Sequence, residues 1–283
     1  MKSSLSCLLL IALITFSFLA CTKSSYNNND NPSLIKTWTV NMNVRNELTV
    51  PAGRTDSGTA ILNLYSDNSL QFQITVTNLA AGDALTASHI HSGDAVTNAA
   101  VYIPFTGTFS GNALSGTVQL TPAQADSIQN FPMYVNVHSN QAPAGIMRSQ
   151  MDKNIIFAAN VAMSGANEVP PVTTTAKGTT YLRLADDSTL FSKVIVTDLE
   201  AGDTLTAAHV HTAAAGVNGP VLIPLCEGAV DFGVSKVSAL TAATISSLLN
   251  DEVYAKCAYH LTSFWNYQRS DPLININRLL IRN

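Results

Sequence analysis

TVTNLAAGDALTASHIH, residues 75–91, returns as IVTDLEAGDTLTAAHVH at residues 195–211, and eleven of the seventeen positions are identical. The offset is 120 residues, and the likeness extends beyond this core in both directions. Upstream, Asn46-Glu47-Leu48 answers Asn167-Glu168-Val169, and Gly58-Thr59-Ala60 answers Gly178-Thr179-Thr180. Downstream, Val101-Tyr102-Ile103-Pro104 answers Val221-Leu222-Ile223-Pro224. The chain is therefore built from two copies of one unit, and its fold is that unit used twice. The copies are expected at 37–155 and 156–283, a size at which each can hold its own core.

Within a copy the pattern is that of short strands. Ala60 to Tyr65 and Leu70 to Val76 alternate apolar and polar residues on either side of Asp67-Asn68, which predicts a hairpin. The second copy repeats it around Asp186-Asp187. Further β-rich runs at 87–91, 101–105, 115–120 and 133–138 have the spacing of a sandwich. One helical signal interrupts them: Thr121 as N-cap with Pro122 at the first position, echoed by Thr241 in copy two. The expected fold is all-β: two tandem Greek-key β-sandwiches, each with one short helical turn. Gly107, Gly111 and Gly116 have no helix after them and read as turn and bulge glycines.

Composition narrows the function. Charged residues make up 12% of the chain and the net charge is −4. No basic cluster exists to neutralise phosphates, so nucleic acid is not an expected partner. Leu8 to Ala20 is apolar but shorter than the roughly 20 residues of a membrane span, and it follows Met1-Lys2, as in a signal peptide. It ends Phe18-Leu19-Ala20-Cys21, the form of a lipoprotein cleavage site with Phe where Leu is usual. Residues 1–20 are read as a signal peptide and Cys21 as the lipidated residue. Residues 21–36, polar and aperiodic through the run of asparagines, are read as a tether. A membrane anchor in the cell envelope of a bacterium, at the outer membrane, follows as the expectation. Only Cys226 and Cys257 then remain, too few for a disulfide framework.

His89-Ile90-His91, Asn218-Gly219-Pro220-Val221, and Tyr134-Val135-Asn136-Val137-His138 followed by Gly145-Ile146-Met147-Arg148-Ser149-Gln150 resemble the CHRD domain. That domain is found in chordin and in many exported bacterial proteins. The resemblance implies an immunoglobulin-like or superoxide-dismutase-like sandwich and no firm activity. Copy one departs from it at Asn98-Ala99-Ala100, where the family has Asn-Gly-Pro. A non-catalytic module that binds an envelope protein or glycan is the leading expectation.

Copy two stops matching copy one after Val253-Tyr254-Ala255. Lys256-Cys257-Ala258 stands where Asn136-Val137-His138 predicts Asn-Val-His. Skipping one base in the back-translated codons permits Asn-Val-His there. The same shift through Trp265 to Asp271 permits Gly-Thr-Ile-Arg-Gly-Gln-Ile, the counterpart of Gly145 to Met151. Two readings stand: a frameshift near codon 256, making residues 256–283 unselected sequence and depriving copy two of its last strands, or divergence of a terminal strand.

The histidines carry the only candidate chemistry. His89 and His91 alternate on a strand, so their imidazoles share a face roughly 6–7 Å apart. His209 and His211 repeat this. His138, on another strand, is placed to converge with the first pair. Two histidines from one strand and a third from a neighbour make a workable shell for Zn²⁺ or Cu²⁺. Asp94 lies close by as a candidate carboxylate. A metal-binding envelope protein is therefore the alternative reading, and a superoxide-dismutase-like site its sharpest version. The competing reading is that the histidines only order the loops around them. Glu47 and Arg148 are expected as an ion pair across the sandwich, or as a polar contact for a ligand. Signatures of hydrolases, zinc proteases, phosphate-binding loops and dinucleotide folds are absent.

Overall fold

The computed structural model describes residues 31–260 and the strand Leu273–Ile276. The first copy consists of β1 (Leu34–Asn43), β2 (Ser57–Tyr65), β3 (Ser69–Thr77), β4 (Leu85–Ser92), β5 (Val101–Pro104), β6 (Ala113–Gln119), α1 (Pro122–Asn130), β7 (Met133–Ser139) and β8 (Met147–Gln150). Their pairing order is β6-β3-β2-β1 and then β8-β7-β4-β5, all antiparallel, with the halves joined only at Asn43 and Arg148. The chain crosses from one half to the other between β3 and β4, and back between β5 and β6. This is the expected Greek-key sandwich.

Alternation explains why the halves close. In β3, Leu70, Phe72, Ile74 and Val76 are buried while Gln71, Gln73, Thr75 and Thr77 face water. The core joins Trp38, Leu62 and Phe72 from one half to Ile90, Val135 and Val137 from the other. Phe72 stacks on Phe105 with ring centroids 4.4 Å apart. Burying a side chain of this size contributes roughly 1.5–3 kcal/mol. Gly116 sits in a regular strand rather than a turn or bulge: a Cβ there would lie 2.8 Å from the Phe72 ring. The outward rungs Thr37–Asn63–Gln71–Thr117 and Asn41–Thr59–Thr75–Ala113 contain no charged residue.

The second copy repeats the plan with β9 (Ile155–Ser164), β10 (Lys177–Ala185), β11 (Thr189–Thr197), β12 (Thr204–Thr212), β13 (Val221–Cys226), β14 (Lys236–Ala239), α2 (Ala242–Asn250), β15 (Val253–His260) and β16 (Leu273–Ile276). Each helix spans nine residues, longer than the single turn expected. The chain leaves the hairpin turns through left-handed Asn68 and Ser188. The expectation that copy two lacks its last strands is not met. β16 pairs with β15 through Cys257–Ile274 and with β9 through Asn275–Ser164, the place β8 holds in copy one. A gap between two strand edges offers backbone donors and acceptors to any extended segment, whatever its sequence. Residues 261–272 and 277–283, where the rest of the frameshift reading falls, lie outside the described residues, as do the signal peptide, Cys21 and most of the tether.

The copies are not independent beads. On β10 and β11, Tyr181, Arg183 and Phe191 occupy positions whose counterparts in copy one, Ile61, Asn63 and Gln71, face solvent. Phe191 and Ala185 pack with Ala95 and Val96 of copy one, with Leu48 and Tyr181 alongside. Arg183 is fully buried there. Among the described residues no helix is long and apolar enough to cross a membrane.

Candidate metal centre

Ile90 points into the core, which forces His89 and His91, on either side of it in β4, onto the outer face of the half-sheet. β7 runs beside β4 with Asn136 opposite His89 and His138 opposite Ala87, so His138 comes up diagonally next to His89. The ring centroids of His89 and His138 are 5.0 Å apart, and those of His89 and His91 are 5.7 Å apart at 82°. One ring nitrogen from each of the three lies within 4.8 Å of the other two.

Hydrogen bonding fixes which nitrogens face inward. His91 Nδ1 is 2.9 Å from the carbonyl oxygen of Ala99, and His138 Nδ1 is 2.9 Å from that of Pro143. A carbonyl only accepts, so each Nδ1 carries the proton and each Nε2 keeps its lone pair. His91 Nε2, His138 Nε2 and His89 Nδ1 are buried with no hydrogen-bond partner. A buried polar atom left without a partner costs about 1–3 kcal/mol. Three such atoms converging on one point are what a metal shell leaves when described by its protein atoms alone. Imidazole nitrogens bind Zn²⁺ at about 2.0–2.1 Å, which sets them about 3.4 Å apart in a tetrahedron, within reach of small side-chain rotations from the present spacing.

Burial pushes all three imidazoles toward the neutral, ligating form. His89 is pushed down to about 4 by desolvation first, then by His138 and His91. His91 and His138 are also lowered by burial, against the pull of their carbonyl partners.

The supporting layer holds residues the sequence did not flag. Tyr134 stacks on His91 with centroids 4.8 Å apart and planes 2° from parallel. The Arg148 guanidinium lies over the other face of Tyr134, 3.5 Å from its centroid. The signal was present, since Tyr254 recurs at the same offset and stacks on His211 at 5.2 Å. Glu47 and Arg148 are both buried, as a structural role requires. They do not hydrogen-bond each other. Arg148 donates to Asn98 Oδ1 and to the carbonyls of Asp94 and Thr97, while Glu47 accepts from Asn136. Burial pushes the Glu47 carboxyl up to about 7, against the pull of Arg148 and Arg183. A Cβ on Gly145 would lie 2.9 Å from Glu47 Oε1, so the turn presses directly on this layer. Asp94 is not a ligand: its carboxylate accepts from Val96 N and Thr97 Oγ1, and from Ser235 of copy two.

Copy two keeps the pair and loses the third ligand. His209 and His211 are again 5.7 Å apart at 82°, and His211 Nδ1 is again 2.9 Å from a carbonyl, that of Gly219. Ala258 pairs with Ala207 where His138 pairs with Ala87. Lys256 replaces Asn136 and lies 3.9 Å from Glu168. Cys257, in the same strand, is buried in the core, and burial pushes its thiol up to about 12. Among the described residues the only cluster of three potential ligands is His89, His91 and His138.

The family model of the CHRD domain matches residues 38–151 and 159–258. The chain belongs to the CHRD domain family. No curated protein and no solved structure matches it. The two CHRD segments also mark the asymmetry: the first runs through His138 and Arg148, and the second ends at Ala258, where copy one has its third histidine.

Proposed function

We propose that this chain is a lipid-anchored CHRD protein of the bacterial cell envelope, exported and held through Cys21, whose first domain binds one transition-metal ion. The ligands are His89, His91 and His138, and the ion is Zn²⁺ or Cu²⁺. Both suit a neutral three-imidazole set. The observation that carries the reading is the convergence of three buried ring nitrogens without hydrogen-bond partners. The protein serves as a binding module rather than an enzyme, displaying loops on a rigid scaffold to an envelope protein or glycan.

The test is metal content of the chain without residues 1–21, purified with no histidine tag. About one equivalent of zinc or copper, lost in His89→Ala/His91→Ala protein that keeps its β-sheet circular dichroism, is the expected result. A folded wild-type protein that stays metal-free after incubation with either ion overturns the metal reading. The anchor is tested separately: Cys21→Ala should move the protein from the membrane pellet to the soluble fraction.

A further inference from the structure

We propose that the second CHRD domain is a working part of the first domain's metal site, with Arg183 as the positioning residue. This rests on the metal reading above and extends it from three ligands to the segments that hold them.

Two stretches of copy one hold the site from behind. The loop Asp94–Ala99 supplies the carbonyl that orients His91, and the carbonyls and amide that hold Arg148 against Tyr134. The segment Asn46–Leu48 supplies Glu47, which accepts a hydrogen bond from Asn136, two residues from His138. Neither stretch is fastened by copy one alone. Asp94 and its neighbours Ala95 and Val96 are met by Ser235, Ala185 and Phe191 of copy two. The carbonyls of Asn46 and Glu47 accept from Arg183, the latter at 2.8 Å, and those of Glu47 and Leu48 accept from Asn160 at 3.0 Å.

Arg183 suits this task by its shape. Its planar fork spends Nη1 on the carbonyls of Ala159 and Leu182 in its own domain. Nε and Nη2 reach across to Asn46 and Glu47. One rigid group therefore fixes the segment bearing Glu47 to the sheet of copy two. Lysine, a point charge on a flexible stem, cannot make both sets of bonds. The counterpart of Arg183 in copy one is Asn63, on a face that meets no other domain among the described residues. The arginine belongs to the joint, not to the sandwich plan.

Groups behind metal ligands typically change metal affinity by about 10- to 100-fold when removed, by letting the ligands rotate. Arg183→Gln in the full chain is expected to weaken Cu²⁺ or Zn²⁺ binding by about 10-fold or more. It is also expected to alter the electron paramagnetic resonance spectrum of the Cu²⁺-loaded protein. Arg183→Lys should restore only part of the affinity. Leu248→Ala, a cavity in the core of copy two and in a different cluster from the joint residues, serves as control. It should lower the melting temperature and leave both spectrum and affinity unchanged. Should Arg183→Gln fail to fold, Asn160→Ala/Ser235→Ala loosens the same two stretches and should shift the spectrum in the same sense.

Folded Arg183→Gln protein with wild-type affinity and spectrum overturns the proposal. So does a Leu248→Ala protein that shifts the spectrum as much. Failure of the wild type to bind either ion is read before any variant, and it is the metal reading that then falls.

Discussion

The two histidine pairs of this chain are the same local object. Ring separation, ring angle, the Nδ1 contact to a loop carbonyl and the stacked tyrosine all repeat between copies. What differs is a residue on the neighbouring strand, His138 against Ala258, together with Asn136 against Lys256. The comparison separates two kinds of information. A His-x-His on a strand, with one tyrosine and one carbonyl, is enough to shape the pair. On the metal reading proposed above, whether the pair becomes a metal shell is decided by a residue more than forty positions away in sequence, delivered by strand register.

The largest effect should come from breaking the contrast in copy one. His138→Ala should abolish stoichiometric metal binding, while His209→Ala/His211→Ala should leave the metal content at one equivalent. Equal losses in both would mean that the copies share one site and that the comparison is misdrawn. Next comes repairing copy two. K256N with A258H, placed in a His89→Ala/His91→Ala background, should raise metal content from none to about one equivalent. A258H alone should bind more weakly, because the Lys256 ammonium sits in the supporting layer. A folded double variant that binds nothing would show that more than these two positions separates the copies.

A smaller effect concerns pH. Glu47 and Glu168 are both pushed up to about 7 by burial. A carboxyl raised on folding contributes stability that is fully present below its unfolded value near 4.5 and is lost as pH rises through about 7. These two carboxyls should therefore give the metal-free chain a falling contribution to stability between pH 4.5 and 7, opposed by the rising contribution of the imidazoles that burial lowers, His89 to about 4. The loss is up to about 3 kcal/mol per group, because moving a titration by one pH unit is worth about 1.4 kcal/mol. Glu47→Gln and Glu168→Gln should each remove one falling contribution and so make the slope of stability against pH more positive, as read by urea unfolding across the range. A slope unchanged in both variants would remove these carboxyls as its source.

The smallest effect separates the helices. α1 has a full capping box, Thr121 with Gln124, while α2 has Thr241 with Thr244 at the answering position. Thr121→Ala and Thr241→Ala should each cost about 1 kcal/mol. Gln124→Ala should cost a few tenths more than Thr244→Ala, because Gln124 accepts from the Thr121 backbone N–H while Thr244 meets only the Thr241 hydroxyl.

Much of this was legible in the sequence. Alternation in β2 and β3, the Asp-Asn turn and the 120-residue offset together specify a sandwich used twice, because period-two burial leaves no other face to close. The convergence of His138 on His89 and His91 followed from placing two strands side by side. Other parts were not legible, for physical reasons. Asp94 looked like a ligand from its position, yet its side chain is consumed by its own turn, a local competition that a residue list does not show. Glu47 and Arg148 were expected as an ion pair or a ligand contact rather than as separate anchors, since hydrogen-bond partners depend on loop carbonyls that any residue supplies. Arg183 gave no signal at all. It stands at an outward position of an alternating strand, where a charged residue is ordinary, and only the stacking of the copies buries it.

That stacking has a direction. Copy two offers the outer face of its β10–β11 hairpin, and copy one offers the loops behind its histidines; neither offers the surface the other uses. Such a head-to-tail joint does not close on itself, and if the same step were repeated it would grow into a filament. In copy two the answering loop, residues 213–219, is largely exposed among the described residues. The matching plug is missing from copy one. Where copy two has the plug residues Arg183 and Phe191, copy one has Asn63 and Gln71, set among threonines and amides that water satisfies fully. The uncharged outer face of copy one thus carries no plug of the kind that seats copy two.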